Sequence, residues 1–140
     1  MARLISVKDC VSQASMEIGI TQRAISSAVG SLDQDIAQMV ALLSAVADEV
    51  LLDEPYKETL GDEVWIYDEN GNEKDAITAD GDLIGFDARL AVTGLKYRFL
   101  KAKGLEYGEE LRDFTSRMNK LAKRVNGTVI DLYEDEGRVI

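Results

Sequence analysis

The side chains in this sequence that could do chemistry are carboxylates. Its 140 residues hold 26 Asp and Glu against 16 Lys and Arg, with no histidine and one cysteine, for a formal charge of −10. Without histidine, neither imidazole acid–base catalysis nor a histidine metal ligand is open to the chain. A single cysteine excludes an internal disulfide and a thiolate zinc cluster. With no base near it in the sequence, Cys10 reads as a small packed hydrophobe rather than a reactive thiol. No GxxxxGK(S/T), GxGxxG or GxSxG occurs, so the common phosphate-cradling and nucleophile-elbow signatures are missing. Two carboxylates could pair as in glycoside hydrolysis. Here they crowd into turn-like stretches and helix starts, where a solvated face is the ordinary reason for an acid. No catalytic, cofactor-binding or metal-ligating residue is expected, and the chain does not read as an enzyme.

The densest acidic stretch, 53–87, holds twelve acids against Lys57 and Lys74. Its DENGNEKDAITADGD run invites a calcium reading. Counted from Asp68, the sixth position is Glu73, where an EF-hand loop turns on glycine, and the twelfth is Ala79 rather than a bidentate Glu. That leaves at most a nonspecific divalent-ion contact. The same stretch carries a hairpin signal, Val64-Trp65-Ile66-Tyr67 followed by Asn70-Gly71. A two-residue type I′ turn there would pair Tyr67 with Lys74, Trp65 with Ala76 and Val64 with Ile77. A lone hairpin is marginal, so Trp65 and Tyr67 are expected to anchor it on something larger.

Helices must carry the rest. Ser6 is placed to cap a first helix, with Asp9 three residues on and a stripe of Val7, Val11, Ala14 and Ile18 running to a stop at Gly19. A short, weakly amphipathic piece over 21–29 follows. Ser31 or Asp33 can cap a longer helix to about Leu52, with Leu32, Ile36, Met39, Leu43, Val46 and Val50 on one face. Pro55 marks its end. Phe86, Leu90, Leu95, Tyr97, Phe99 and Leu100 make the next helix apolar nearly all round, which demands neighbours on several sides. After a hinge at Gly104, the last helix presents Tyr107, Leu111, Phe114, Met118, Leu121 and Val125, and Asn126-Gly127 stops it.

The reading is mainly α: a small bundle of about four helices over 1–125, an inserted hairpin and acidic segment at about 53–86, and an extended C-terminal arm over 126–140. Hydrophobic residues at 46 % and charged residues at 30 % place the chain among globular proteins. Residues 1–20 lack a continuous apolar core, and no apolar run reaches the roughly 20 residues needed to cross a bilayer. Neither a secretory leader nor a membrane span is expected.

Charge is unevenly shared. From 96 to 124 there are nine basic residues and four acidic ones, a net +5, so the remainder carries −15. A dipolar subunit of this kind suits head-to-tail or side-by-side self-association. Lys96, Arg98, Lys101, Arg117 and Lys120 are the subunit-interface candidates. Lys96 to Lys103 also interleaves Tyr97 and Phe99 in a way that superficially resembles a base-stacking platform. On a helix those rings lie on different sides, and the net charge opposes strong nonspecific DNA affinity. A small DNA-binding or regulatory protein is the alternative reading, and a cell-wall hydrolase with no nameable carboxylate pair a third. Val129, Ile130, Leu132, Tyr133, Val139 and Ile140 are too apolar for an idle tail, which points to an arm that grips another chain.

GLKYRFL at 94–100, then AKGLEY at 102–107 and Glu109-Glu110-Leu111, resemble the head-completion proteins, or head-to-tail adaptors, of short-tailed bacteriophages, the P22-type adaptors. GDEVWIYDENG, an acidic loop, Phe86-Asp87 opening a helix and a SVKDCVSQASMEIGI start occur in the same order in that family, so the resemblance covers most of 4–124. Gly108 departs from the small capping residue, often Ser, expected before Glu109-Glu110. The resemblance implies a virion structural protein at the head–tail junction, assembled from the host cytoplasm. It implies a ring, typically of twelve copies, beneath the portal protein, extending the DNA channel and offering a platform to the next tail or nozzle component. Packaged DNA would pass through without specific binding. By the same analogy 126–140 would be the portal-binding arm.

Overall fold

The computed structural model describes residues 4–52 and 64–125. In order these form β1 (Ile5–Ser6), α1 (Val7–Glu17), α2 (Gln34–Leu52), β2 (Ile66–Tyr67), β3 (Glu73–Lys74), β4 (Leu83–Ile84), α3 (Ala88–Ala102) and α4 (Gly108–Val125). The fold is mainly α, with four helices and one small antiparallel sheet among the described residues. The arm residues Val129, Ile130, Leu132, Tyr133, Val139 and Ile140, together with Pro55, lie outside the described residues.

Helix α3 is the element the others pack on. It contacts α1, α2 and α4, which accounts for apolar residues all round it: Leu90, Ala91, Val92, Leu95, Tyr97 and Phe99 are buried. Helices α2 and α4 both run antiparallel to it. Lys103, just past the end of α3, meets Asp35 in the first turn of α2 at 3.0 Å, while Asp87 at its start meets Arg117 in the second half of α4 at 2.7 Å. Gly94 lets the three helices close: a Cβ there would lie 2.6 Å from Val46 Cγ1 and 2.8 Å from Phe114 Cε1. The α2 stripe Ile36, Met39, Leu43, Val46 and Val50 is buried. Leu32 is not part of it, being 99 % exposed. Asp33 caps α2 by accepting the Asp35 and Ile36 N–H groups, so Leu32 falls outside the helix and its periodicity no longer applies.

Helix α1 begins as expected, with Ser6 Oγ accepting the Asp9 N–H at 3.1 Å, and the chain leaves it through Gly19 at φ 81°. The 21–29 stretch forms no helix. It folds back on α1 instead, where Ser12 Oγ accepts the Ile25 N–H and Ser15 Oγ hydrogen-bonds Thr21 Oγ1. Helices α3 and α4 join through Gly104 at φ 73°. Gly108 starts α4 with its N–H donated to Glu106 Oε1 at 3.1 Å, so a carboxylate two residues upstream satisfies the first N–H of the helix.

The hairpin is not an isolated insertion. Its strands join β1 and β4 in the order β1-β4-β2-β3. Its register is also one step from the expected one: Ile66 faces Lys74 and Tyr67 faces Glu73, and the β2–β3 ladder stops after those two pairs. The cause is Asp68. Its carboxylate accepts the N–H groups of Asn70 and Asn72, both at 2.9 Å, and the Asn72 side-chain amide at 3.1 Å. That loop needs positive φ only at Gly71, whereas a type I′ turn would need it at Asn70 as well. A one-residue slip exchanges the faces of a strand. Here it leaves Ile66 buried opposite Ile84 on β4.

Candidate functional site

The cations singled out by sequence have three different fates. Lys96 is nearly buried and its Nζ lies 2.8 Å from Glu17 Oε1. Glu17 also receives both terminal nitrogens of Arg89, at 2.8 and 3.1 Å, and the Gln13 amide at 3.0 Å. The Arg89 hydrogen bonds, opposed by partial burial and helped by Lys96, hold its carboxyl down at about 2. Arg98 donates to Glu49 Oε1 at 2.6 Å, and the Tyr97 hydroxyl donates to the same oxygen at 2.5 Å. Burial first, then that carboxylate, pushes the Tyr97 hydroxyl up to about 12. Arg117 forks onto Asp87, Nε at 2.9 Å and a terminal nitrogen at 2.7 Å. Asp87 also caps α3 by accepting the Leu90 N–H. Burial raises its pKa, but the Arg117 and Leu90 bonds outweigh that and leave it low.

Lys96, Arg98 and Arg117 are therefore internal cross-braces, tying α3 to α1, α2 and α4. They do not form one patch with Lys101 and Lys120, which stay exposed. Lys101 Nζ sits 5.9 Å from the centre of the Tyr107 ring. Lys120 and Arg112 are exposed on α4 and, among the described residues, border a groove of about 600 Å³ with Gly108, Leu111, Thr115, Ser116 and Asn119. The stacking-platform reading also loses its rings: Tyr97 is 4 % and Phe99 3 % exposed, too buried to meet a base.

The acidic end is organised by carboxylates that bind backbone. Asp82 is 2 % exposed. It accepts Lys74 Nζ at 2.7 Å and the N–H groups of Thr78 and Ala79 at 2.8 and 3.0 Å; Lys74 also reaches Thr78 Oγ1. Burial alone would raise the Asp82 pKa, but these bonds bring it below the ordinary value. Asp80 Oδ1 accepts the Ala28 and Val29 N–H groups at 2.9 and 2.7 Å, clamping the 21–29 stretch to the sheet. Trp65 anchors the hairpin against Phe86, ring centres 6.2 Å apart. The Tyr67 ring covers Gly85, where a Cβ would meet it at 2.5 Å. Among the described residues no group of three His, Cys, Asp or Glu side chains comes together as a metal site. The Asp68 and Asp82 oxygens are already held by N–H donors. Cys10 is fully buried, its thiol pushed up to about 12 by that burial.

Asp80 and Asp82 are structural clamps that sequence reasoning missed. The signal was present as a glycine between two acids, a turn in which both side chains can turn back on nearby backbone. Among the described residues, no helix is long and apolar enough to cross a membrane. No family model matches the chain, and no curated protein or solved structure matches it.

Proposed function

We propose that this chain is a virion structural subunit, a head-to-tail adaptor that binds a portal ring and builds a channel-extending ring beneath it. The observation that supports this reading is that two parts of the surface differ in charge: the hairpin exposes acids alone, whereas α3 and α4 expose both signs. Glu69, Glu73 and Asp75 are exposed around the hairpin, whereas α3 and α4 expose Lys101, Arg112 and Lys120 together with Glu109 and Asp113. A closed ring repeats one heterologous contact, so each subunit needs two different and complementary sides. The acids of the hairpin set against Lys101, Arg112 and Lys120 would supply such a pair and orient the approach. The stretch that carries the adaptor resemblance, 94–111, forms much of α3 and the turn into α4, the part of the molecule on which the other helices pack.

In this reading the partners are the portal protein, a tail or nozzle component and further copies of the chain, twelve to a ring. The DNA passes without being gripped, and the finished location is the head–tail junction of the virion. The arm 126–140 attaches the subunit to the portal. Electron microscopy of the protein mixed with purified portal rings tests this directly. The full chain is expected to add a ring of density to one face of the portal. The chain shortened to 1–125 is expected to keep its helical circular dichroism and lose attachment. Portal rings that stay bare with the full chain would end the adaptor reading.

A further inference from the structure

Asn70-Gly71, at the tip of the hairpin, carries a reaction that needs no second protein. Asparagine is a labile side chain, and a glycine after it has no Cβ to hinder the approach of its own backbone nitrogen. Both residues are exposed. A Cβ built on Gly71 would meet nothing within 4 Å, so among the described residues nothing packs against that side of the pair. The Asn70 side chain takes no part in the hydrogen bonds that close the loop. What restrains the pair is Asp68. Its carbonyl accepts the Gly71 N–H at 3.0 Å, and its own N–H is donated to the Asn72 carbonyl at 2.8 Å. Its carboxylate holds the N–H groups on either side of Gly71, those of Asn70 and Asn72, both at 2.9 Å.

We infer that Asn70-Gly71 is a self-modification site, converting to aspartate and isoaspartate, and that Asp68 latches it shut in the folded chain. In the reaction the Gly71 nitrogen attacks Cγ of Asn70. The N–Cγ bond forms, the Cγ–Nδ2 bond breaks, and ammonia leaves with the Gly71 amide proton. Water then opens the succinimide: attack at Cγ yields aspartate, and attack at the Asn70 main-chain carbonyl carbon yields isoaspartate. Water is the only co-reactant, and nothing is oxidised or reduced. The first step needs a Gly71 nitrogen that has lost its proton and turned toward the Asn70 side chain. In the closed loop that N–H is committed to the Asp68 carbonyl, and the adjacent carboxylate disfavours a second negative charge. Conversion therefore follows opening of the loop. Either product adds a carboxylate to a hairpin that already exposes Glu69 and Glu73. Isoaspartate also inserts a methylene into the main chain, so Asp68 can no longer keep both N–H groups. This chemistry does not depend on the adaptor reading.

The test incubates the full chain in mildly alkaline buffer, folded and in urea, and then digests it with trypsin. Cleavage after Lys57 and Lys74 places Asn70 in peptide 58–74, apart from Asn126-Gly127 in peptide 125–138. Fragmentation mass spectrometry reads the conversion at 70. It is expected to be at least about tenfold slower in the folded chain than in urea, since opening breaks hydrogen bonds to a charged group. Asp68→Ala, with its helical circular dichroism unchanged, should speed conversion of the folded chain about tenfold. Asp68→Asn keeps an acceptor oxygen and should fall between the two. A folded parent that converts as fast as the chain in urea would overturn the latch. Asp68 variants as slow as the parent would show that Asp68 is not what closes it, and an Asn70 that stays intact in urea would overturn the modification site. Should Asp68→Ala fail to fold, Asp68→Asn and the parent's folded-to-urea ratio still decide.

Discussion

The helical layer and the sheet end of this molecule are held by different forces. Around α3 the contacts are apolar: Leu90, Leu95, Leu43, Val46, Met39 and Phe114 are buried together. At the sheet end each strand is two residues long, too short for its ladder to hold it. There, beside the apolar anchors Ile66, Ile84 and Trp65 on Phe86, the ties are Asp82 on Lys74 and two backbone N–H groups, and Asp80 on two more. Apolar burial is non-directional and tolerates small shifts. A buried carboxylate with several donors is directional and fails when one partner is removed. The two regions should therefore fail differently. Damage to the helical layer lowers the stability of the whole molecule, and damage to the sheet end loosens that end first.

Phe114→Ala gives the largest effect. The ring is 2 % exposed, stands 5.4 Å from that of Tyr97 and covers Gly94. Its loss leaves a cavity between α3 and α4 and should cost about 4 kcal/mol, read as a lower midpoint in a urea titration followed by circular dichroism. The loss should appear at every probe at once, since α3 touches all the other helices. A variant within about 1 kcal/mol of the parent would mean that α4 is not part of the core.

Asp82→Ala should cost about 3 kcal/mol, as it leaves the Lys74 ammonium and the Thr78 and Ala79 N–H groups without their acceptor. The measurement that sharpens the comparison is hydrogen exchange. Amides of Asp68 to Asp82 should lose protection while the α2, α3 and α4 amides keep most of theirs. Uniform loss across both regions would show one cooperative unit in place of two.

The same contrast explains what could be read from the amino-acid order. Ile36 to Val50 and Leu111 to Leu121 repeat at helical spacing, and that spacing is a consequence of one-sided burial, so these helices were legible. Strands β1 and β4 were not, because two residues cannot display a period of two. The hairpin register followed the side chain of Asp68, a local competitor of the turn expected from Asn70-Gly71. The basic residues of α3 and α4 were visible as charges, but their destinations were not. Lys96, Arg98 and Arg117 pair with acids 79, 49 and 30 residues away, and no local pattern encodes a partner at that distance. What remained exposed, Lys101, Arg112 and Lys120, could be separated from them only once α3 had been set among its neighbours.

Glu17→Gln should have the smallest effect and differs from the others in its dependence on pH. The carboxylate joins α1 to α3 through Arg89 and Lys96. It is partly open to solvent, so screening limits its contribution to about 1 kcal/mol near neutral pH. Its folded pKa is about 2 against an ordinary 4.5. A carboxyl lowered on folding stabilises fully above its unfolded pKa and ceases to do so as pH falls through the folded one. The parent should therefore exceed the variant in stability by a constant margin above about pH 5, and the two curves should converge between 4.5 and about 2. Urea midpoints at several pH values provide the check. A margin that persists unchanged at pH 2 would mean that Gln loses a contact unrelated to charge, and that shape rather than ion pairing fastens α1 to α3.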